Sequence, residues 1–475
     1  MNRLARLDHR YLWHPFTQMK DWLRREPIVI RAGEGAWIED IHGNRYLDAN
    51  SSIWTNLHGH RHPALDRALK DQLKKIAHSS ALGLANEPAS VLAEKLMRVV
   101  QPKRFASKFP NQPRLGKIFY SDDGSTAMEV ALKLAFEFAR RTGRARRPKF
   151  LSLAGAYHGD TIGAVSVGHI DLFHKAYAGL LFKTDTVPSP YCYRCRFNRA
   201  KPERSDARAY RKCNWECVSQ IEKRFSRATK ESPYAAMVVE PLIQGAAGMI
   251  PQPAGWLSRV AEIVRSHGAQ LIADEVMTGF GRTGTEPGKN RLFACHQEGV
   301  QPDFLAVAKG LTGGYLPMAA TMTTRQVFDA FLGEYEEFKT FFHGHSYTAN
   351  QLGAAVASAN LDLLEANAGV REELQKNFAR ALDRLWQLPH VGDIRQVGLI
   401  AGIELVRDWR TREPFPLEAR AGMRVCEAMT RFGVLTRPIG NVIALMPPYC
   451  TSPEEIQRMA EAIEKGIVEV FGEIR

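Results

Sequence analysis

GAQLIADEVMTGFGRTG (268–284) and PDFLAVAKGLTGGYLP (302–317) are the two stretches that decide the fold. Each contains a short apolar run, at 271–273 and 304–308, that ends at a polar residue close to glycines. Such runs predict buried strands of a parallel sheet, and ligands bind at the carboxyl ends of these strands. Similar runs alternate with helical patterns elsewhere in the chain, so the sequence predicts an α/β fold with a mostly parallel sheet and helices on both faces.

Lys309 and Asp274 stand at the ends of these two runs. Burial disfavours the charged form of a lysine, lowers its pKa and makes the amine a nucleophile for carbonyl groups. A carboxylate on a neighbouring strand end can keep a heteroaromatic nitrogen protonated. The pair therefore suits pyridoxal 5′-phosphate, which needs a lysine imine and a partner for its ring nitrogen. An ordinary ion pair between strand ends explains the two residues equally well.

Three other positions have the chemistry of a ligand site. Gly124 and Ser125 stand at the start of a predicted helix, where backbone N–H groups and the helix dipole bind phosphate. The alternative is that Ser125 only caps the helix. Tyr157 comes after a predicted strand and can stack on a planar cofactor. Asp160 can line the same site or cap the segment after it.

Two later segments offer further ligand contacts. Gly344, His345 and Ser346 provide N–H and hydroxyl donors suited to a phosphate, although an ordinary capped helix start has the same residues. Arg437 lies between two strand-like runs and can bind a carboxylate. An arginine in such a place more often forms a surface ion pair. Trp54 lies between small polar residues, either as a core anchor or as part of a ligand wall.

An insertion at 190–218 contains four cysteines at Cys192, Cys195, Cys213 and Cys217. Two cysteine pairs at about this separation can bind structural zinc. The last gap is one residue longer than in the commonest pattern, and four reduced cysteines in a basic surface loop are the alternative. The sequence thus makes zinc a possible second cofactor.

Composition limits the classes of protein. The chain has 475 residues, which predicts more than one packed region, and no apolar run approaches the length of a membrane helix. Seven cysteines without a recognisable secretion signal suggest a reducing compartment, and we expect a cytoplasmic protein. The net charge of +13 comes largely from stretches at 140–149 and 194–212. We interpret these as solvated loops and expect neither nucleic-acid nor membrane binding.

Several motifs occur together and in order: GST (124–126), YHGDT (157–161), Glu-Pro (240–241), DEVMTGFGRTG (274–284), AKGLTGGYLP (308–317) and HGHSYTANQ (343–351). Over nearly the whole chain, this combination resembles the class III, or ω-type, PLP-dependent aminotransferases. LWHPFTQM (12–19), SSIWTNLHGH (51–60), YHGDTIGAVSVG (157–168), GDIRQVG (392–398) and TRPIGNVIALMPPY (436–449) are most similar to the branch of the family that forms 7,8-diaminononanoate in biotin biosynthesis.

The resemblance implies the fold type I architecture of PLP-dependent transferases. An N-terminal arm with part of the small domain would span 1–60, a large cofactor-binding domain 61–345, and a linker helix with the small domain 346–475. The unit would be a homodimer with shared active sites. Lys309 would form the imine with the cofactor and later transfer the proton, while Asp274 would hold the ring nitrogen. The implied remaining cofactor contacts are Tyr157 and Val276 at the ring faces, and Gly124, Ser125 and, from the other subunit, His345 and Ser346 at the phosphate.

The resemblance also implies a ping-pong transamination of 8-amino-7-oxononanoate. The implied substrate contacts are Phe16, Ile53, Trp54, Tyr157, Asp160, Arg282, Lys309, Gly344 and Arg437. Phe16 and Ile53 stand where members that use S-adenosylmethionine usually have tyrosine and tryptophan. Because losing a hydroxyl and a large aromatic wall should weaken recognition of a bulky sulfonium, lysine is the other candidate amino donor.

Other functions stay open from the sequence. A general ω-amino-acid or diamine aminotransferase would share all the cofactor residues, and a 2,1-aminomutase is possible on fold grounds. A zinc-containing nucleic-acid-binding module would account for the basic stretches and the cysteines. Such a module has no use for Lys309, Asp274 and Ser125 together, which favours the enzyme.

Overall fold

The computed structural model describes residues 1–229, 231–284 and 290–472. Its helices are α1 (Arg3–Tyr11), α2 (Met19–Trp22), α3 (Ser51–Trp54), α4 (Pro63–Leu73), α5 (Glu87–Val100), α6 (Lys103–Lys108), α7 (Gly124–Arg141), α8 (Ile162–Ser166), α9 (Asp171–His174), α10 (Ala207–Tyr210), α11 (Glu216–Ser226), α12 (Trp256–Ser266), α13 (Arg325–Asp329), α14 (Gln351–Ala366), α15 (Ala368–Asp383), α16 (Ala421–Arg431) and α17 (Pro453–Phe471). No helix within these described ranges is long and apolar enough to cross a membrane.

The strands are β1 (Ile30–Glu34), β2 (Trp37–Asp40), β3 (Arg45–Asp48), β4 (Leu115–Ser121), β5 (Lys149–Leu153), β6 (Asp185–Val187), β7 (Tyr234–Val239), β8 (Ile243–Gln244), β9 (Ile250–Pro251), β10 (Gln270–Asp274), β11 (Phe304–Val307), β12 (Ala319–Thr324), β13 (Val391–Val397), β14 (Ile400–Asp408), β15 (Glu413–Pro414), β16 (Val434–Leu435), β17 (Pro438–Ile439) and β18 (Val442–Leu445).

A seven-stranded sheet forms the centre of the molecule, in the order β4-β12-β11-β10-β7-β5-β6. Only β12 runs antiparallel to its neighbours β11 and β4, and the other pairs are parallel. The mostly parallel sheet predicted from the sequence is therefore confirmed. In the register of β10 and β11, Asp274 lies opposite Ala306. This pairing brings the carboxyl ends of the two strands, and hence Asp274 and Lys309, to one edge of the sheet.

Alternate residues of these strands pack on opposite faces, as strand geometry requires. Ile272, Phe304 and Ala306 pack in one core cluster with the apolar face of α7. Leu271, Ala273 and Leu305 pack in another cluster with the apolar face of α12. Each face of the sheet is thus covered by a helix, which explains why β10 and β11 are apolar without interruption.

Two smaller sheets combine distant parts of the chain. The sheet β1-β2-β3-β16 joins N-terminal strands to residues near the C-terminus, and β2 and β3 form a hairpin. The sheet β13-β14-β18-β17 carries β15 at its side. The division of the chain at 60 and 345 remains a prediction.

The insertion at 190–218 is anchored to β13 and β14. Arg194 forms an ion pair with Glu404, at 2.5 Å between Nη2 and Oε1. Arg204 donates to the carbonyls of Val391 and Leu388. These two arginines contact the neighbouring sheet. Among the other basic residues of the stretch, Arg196, Arg199, Lys201 and Lys212 are exposed.

Candidate active site

Lys309 lies just beyond β11 and begins a 3₁₀ turn, Lys309–Thr312. Its Nζ lies 4.5 Å from the centroid of the Trp54 ring. Burial lowers the pKa of Lys309 to about 8, although the carboxylates of Asp274 and Glu240 act in the opposite direction. A larger fraction of the amine is therefore neutral near physiological pH than in a solvated lysine, and a neutral amine can attack a carbonyl.

Asp274 is buried at the end of β10, and two groups of the protein orient its carboxylate. Oδ1 accepts the Val276 N–H at 3.0 Å. His158 Nδ1 donates to Oδ2 at 2.7 Å. Burial by itself would lower the pKa of His158, but Asp274 and Glu240 raise it above its ordinary value. His158 was not among the residues predicted from the sequence to be functional. The sequence feature that could have identified it is its position directly after Tyr157 in the motif YHGDT (157–161).

Glu240 lies directly after β7 and is buried. Its carboxylate accepts the N–H of Tyr157 at 3.2 Å and that of Gly245 at 2.7 Å. Burial raises the pKa of Glu240 to about 7. Glu240 belongs to the Glu-Pro motif of the sequence (240–241), and its contacts fix the backbone on either side of the site.

The start of α7 is close-packed. Asp123 and Thr126 form a capping box, and the Ser125 hydroxyl accepts the Asp160 N–H at 3.1 Å. A Cβ at Gly124 would lie 2.7 Å from Val276 Cγ1, so only glycine fits there. Ser125, Gly124 and Val276 thus lie together at a helix start whose first N–H groups have no intrahelical partner.

Aromatic side chains form one rim of the site. The Tyr157 hydroxyl donates to Asp160 Oδ2 at 2.7 Å, and its ring meets that of Phe16 edge-on at 6.5 Å. Burial raises the pKa of Tyr157, which stays protonated. Phe16 and Ile53 are 58% and 45% exposed, so both are accessible from solvent.

The remaining candidate residues have different surroundings. Arg282 is buried and donates to the Pro447 carbonyl at 2.7 Å, so the structure shows it holding the wall of the site. Arg437 is exposed between β16 and β17. His345 Nδ1 contacts Asp122 of the same chain at 2.8 Å, while Gly344 and Ser346 are exposed. The segment 343–348 therefore lies beside the junction of β4 and α7.

Known proteins match this chain along nearly its whole length. The family described as aminotransferase class-III matches residues 19–467. An adenosylmethionine-8-amino-7-oxononanoate aminotransferase of Geobacter sulfurreducens is 49% identical over 98% of this chain and 97% of its own length. The chain is a class III aminotransferase.

Solved structures of other aminotransferases agree with this assignment. The crystal structure of adenosylmethionine-8-amino-7-oxononanoate aminotransferase from Methanocaldococcus jannaschii is 40% identical, with a TM-score of 0.87 over 98% of both chains. An amine transaminase from an uncultivated Pseudomonas species is 32% identical, with a TM-score of 0.85 over 96% of this chain and 98% of that one. This class III aminotransferase accordingly has the type I fold of PLP-dependent transferases.

The residues of this class III aminotransferase fit pyridoxal 5′-phosphate, the cofactor of the family. Trp54 Nε1 and His158 Nε2 are buried polar atoms without a hydrogen-bond partner among the described residues. Trp54 lies against Lys309 and His158 against Asp274, so both flank the place where a polar ligand would bind. At the other end, the first N–H groups of α7 at Gly124 and Ser125 have no intrahelical partner and can bind a phosphate.

The structure gives the predicted zinc site no support. All four cysteines are free and line one small cavity, in which Arg211 donates to Cys213 Sγ at 3.0 Å. Burial raises the pKa of Cys192 to about 12 and that of Cys217 to about 11. In the part of the chain that the structure describes, no group of three or more Cys, His, Asp or Glu side chains is arranged to hold a metal ion.

Proposed function

We propose that the enzyme transfers an amino group to 8-amino-7-oxononanoate and so forms 7,8-diaminononanoate in biotin biosynthesis. The observation that carries the proposal is the buried Lys309 amine, which lies against Trp54 beside the strand-end carboxylate Asp274. The acceptor is supported by relatives named for it, among them the Geobacter sulfurreducens protein that matches this chain along nearly its whole length.

In this proposal each group has a defined task. Pyridoxal phosphate, when bound, supplies an electron-accepting ring that makes the hydrogen beside the substrate nitrogen acidic. Lys309 would hold the cofactor covalently through Nζ, and the same amine would carry the proton between the substrate carbon and the cofactor carbon on either side of the nitrogen. Asp274, oriented by His158, holds a proton on the ring nitrogen. Gly124 and Ser125 bind the phosphate, with His345 and Ser346 contributed by the partner subunit.

The substrate contacts extend outward from this centre. Tyr157 and Val276 cover the cofactor ring, and Trp54 excludes water on the side of Lys309. Phe16 and Ile53 line the entrance. The remaining proposed contacts are Asp160, Arg282 and Gly344, together with Arg437, which would bind the substrate carboxylate.

The amino donor is tested by direct comparison. We would incubate the purified enzyme with 8-amino-7-oxononanoate and either S-adenosylmethionine or lysine, and measure 7,8-diaminononanoate by mass spectrometry. The names of the relatives favour S-adenosylmethionine, whereas Phe16 and Ile53 favour lysine. A Phe16→Tyr/Ile53→Trp variant should shift the ratio of kcat/KM values towards S-adenosylmethionine, by about tenfold or more.

Lys309→Ala is the control for this assay and should form no product. Failure of both donors, with rapid turnover of ornithine or 4-aminobutyrate, would replace the proposal with that of a general ω-amino-acid aminotransferase. Activity with S-adenosylmethionine alone would retain the acceptor and remove the lysine hypothesis.

We further propose a cytoplasmic homodimer. Segments 76–84 and 338–347 contact each other through the rings of His78 and Tyr347. They carry several exposed apolar side chains, including Leu82 at 91% and Phe342 at 74%. An apolar surface of this kind is typical of a subunit interface. The seven free cysteines agree with a reducing compartment.

A further inference from the structure

Residues 51–54, the short segment α3, do not have right-handed helical geometry but form a left-handed turn without glycine. The φ angles of Ser51, Ser52, Ile53 and Trp54 are 46°, 48°, 65° and 70°. The left-handed region places Cβ too close to the next carbonyl oxygen, so residues other than glycine adopt it rarely and singly. Ile53 is additionally β-branched, which makes its conformation more unusual still. Four successive residues hold this conformation only where the surrounding structure imposes it.

The turn lies where it affects the chemistry. Its last residue, Trp54, places its ring 4.5 Å from Lys309 Nζ. Trp54 also packs against the core cluster that contains Met277 and Ile243. Ile53 faces solvent beside it, 45% exposed. The conformation of the turn therefore sets both the wall above the amine and one side of the entrance.

One buried carboxylate holds the turn. Asp48, at the end of β3, is only 4% exposed. Its Oδ1 accepts the N–H of Ser52 at 3.1 Å and that of Asn50 at 3.3 Å. Its Oδ2 accepts the Ser52 hydroxyl at 2.8 Å. Burial raises the pKa of Asp48, but the hydrogen bonds from His60 and Ser52 outweigh burial and lower it, so the acceptor is an ionised carboxylate.

His60 orients that carboxylate from the other side. Its Nε2 contacts Asp48 Oδ2 at 3.2 Å, and its Nδ1 contacts Asn56 Nδ2 at 3.1 Å. The amide of Asn56 donates to His60 Nδ1, so His60 Nε2 carries the ring hydrogen and donates a hydrogen bond to Asp48. The backbone of His60 is fixed by two hydrogen bonds with Gly35. The ring therefore has one orientation and one tautomer.

We propose that Asp48, oriented by His60, is a positioning residue that keeps residues 51–54 left-handed and thereby sets Trp54 over Lys309 and Ile53 at the entrance. The inference rests on the proposed function in so far as the entrance selects the amino donor. Asp48→Asn is predicted to disrupt the arrangement, because its NH₂ group would face either the N–H of His60 or the backbone N–H groups of Ser52 and Asn50, from which the carboxylate oxygens accept.

A matched pair of variants tests the strain directly. Ser52 is exposed, so neither Ser52→Ala nor Ser52→Gly should prevent folding. Both remove the hydroxyl bond to Asp48, but only glycine adopts the left-handed region without strain. We expect Ser52→Ala to lower kcat/KM for the donor about tenfold, and Ser52→Gly to stay within about threefold of the parent enzyme. Equal effects of the two variants would overturn the proposal.

Asp48→Asn and His60→Gln test the positioning role in the holoenzyme. We expect kcat/KM for the donor to fall about 10- to 100-fold, with a smaller change in KM for the acceptor. The visible absorbance of the bound cofactor should titrate at a pH higher by about half a unit, because displacing Trp54 admits water to the Lys309 nitrogen. A lower melting temperature with unchanged kinetics and titration would mean a structural role only and would overturn the proposal.

The same measurements separate this inference from the proposed function. If the parent enzyme fails to convert 8-amino-7-oxononanoate, the proposed function is wrong. Even then, Ser52→Ala and Ser52→Gly can be compared by the titration of the cofactor absorbance and by the half-reaction with any amine that the enzyme accepts. Adding Ser52→Gly to Asp48→Asn should recover at least about threefold in kcat/KM, and no recovery would contradict the positioning role.

Discussion

Replacing Asp274 with asparagine is the sharpest test of the site. The side chains of Asp274 and His158 are 6% and 0% exposed, and Oδ2 and Nδ1 are 2.7 Å apart. A buried hydrogen bond between charged groups contributes about 1.5–3 kcal/mol, and breaking a buried ion pair costs up to about 3–5 kcal/mol. Asparagine retains one acceptor oxygen, so we expect a loss near the lower limit, about 2 kcal/mol.

The loss should depend on pH with a definite sign. The pKa of His158 is raised in the folded protein, since Asp274 and Glu240 outweigh burial. A group whose pKa is raised in the folded state stabilises the protein in its protonated form. This stabilisation has its full value at pH values below the unfolded pKa, about 6.5, and is lost as the pH rises through the folded pKa. Asp274→Asn should therefore destabilise the apoenzyme by about 2 kcal/mol near pH 6 and by clearly less near pH 9.

Urea denaturation of the apoenzyme at both pH values measures this difference. His158→Gln should remove the same pH dependence, and the double variant should be less destabilised than the sum of the two single variants. In the holoenzyme, kcat/KM of Asp274→Asn should fall about 100- to 1,000-fold because the ring nitrogen loses its charged partner. An equal loss of stability at both pH values, or strict additivity, would refute the assigned coupling.

Lys309, the exposed apolar surface and the cysteine insertion each allow a further prediction. Acylation of Lys309 in the apoenzyme, measured by mass spectrometry, should be half-maximal near pH 8, and Trp54→Ala should raise that pH because it removes burial. Leu82→Glu should convert the dimer to a monomer in light scattering and lower activity about tenfold or more, whereas Leu417→Glu, also exposed, should leave the dimer intact. Elemental analysis should find no stoichiometric zinc, and a chelator should leave the melting temperature unchanged within about 1 °C; a chelator-induced fall would restore the zinc site.

The sheet and the central pair of the site could be predicted because their signals are local. The apolar runs of β10 and β11 are buried on both faces, so composition alone marks them as strands of a parallel sheet. Asp274 and Lys309 stand at the ends of those runs, and the strand register places them at the same edge. Gly124 marks the start of α7 because no Cβ fits against Val276.

The supporting groups could not be predicted, because their partners are distant in sequence. His158 and Asp274 are 116 positions apart, and no periodicity connects them. The left-handed turn at 51–54 contains no glycine that would have marked it in the sequence. Its conformation is imposed by Asp48 and His60 rather than by local preference. The four cysteines gave a weaker signal: their spacing resembles a zinc motif, but the described residues contain no group of side chains arranged to hold a metal ion.

The ionisable groups of the site form one electrostatic unit. Burial lowers the pKa of Lys309, while Asp274 and Glu240 raise it, and the result of about 8 is close to the pH at which the amine must both attack and carry a proton. The same two carboxylates keep His158 protonated to higher pH. Removing one carboxylate therefore changes the protonation of both Lys309 and His158, so the effects of single substitutions on kcat will not add. Trp54 belongs to this unit as well, because its ring contributes to the burial that has the largest influence on the pKa of Lys309.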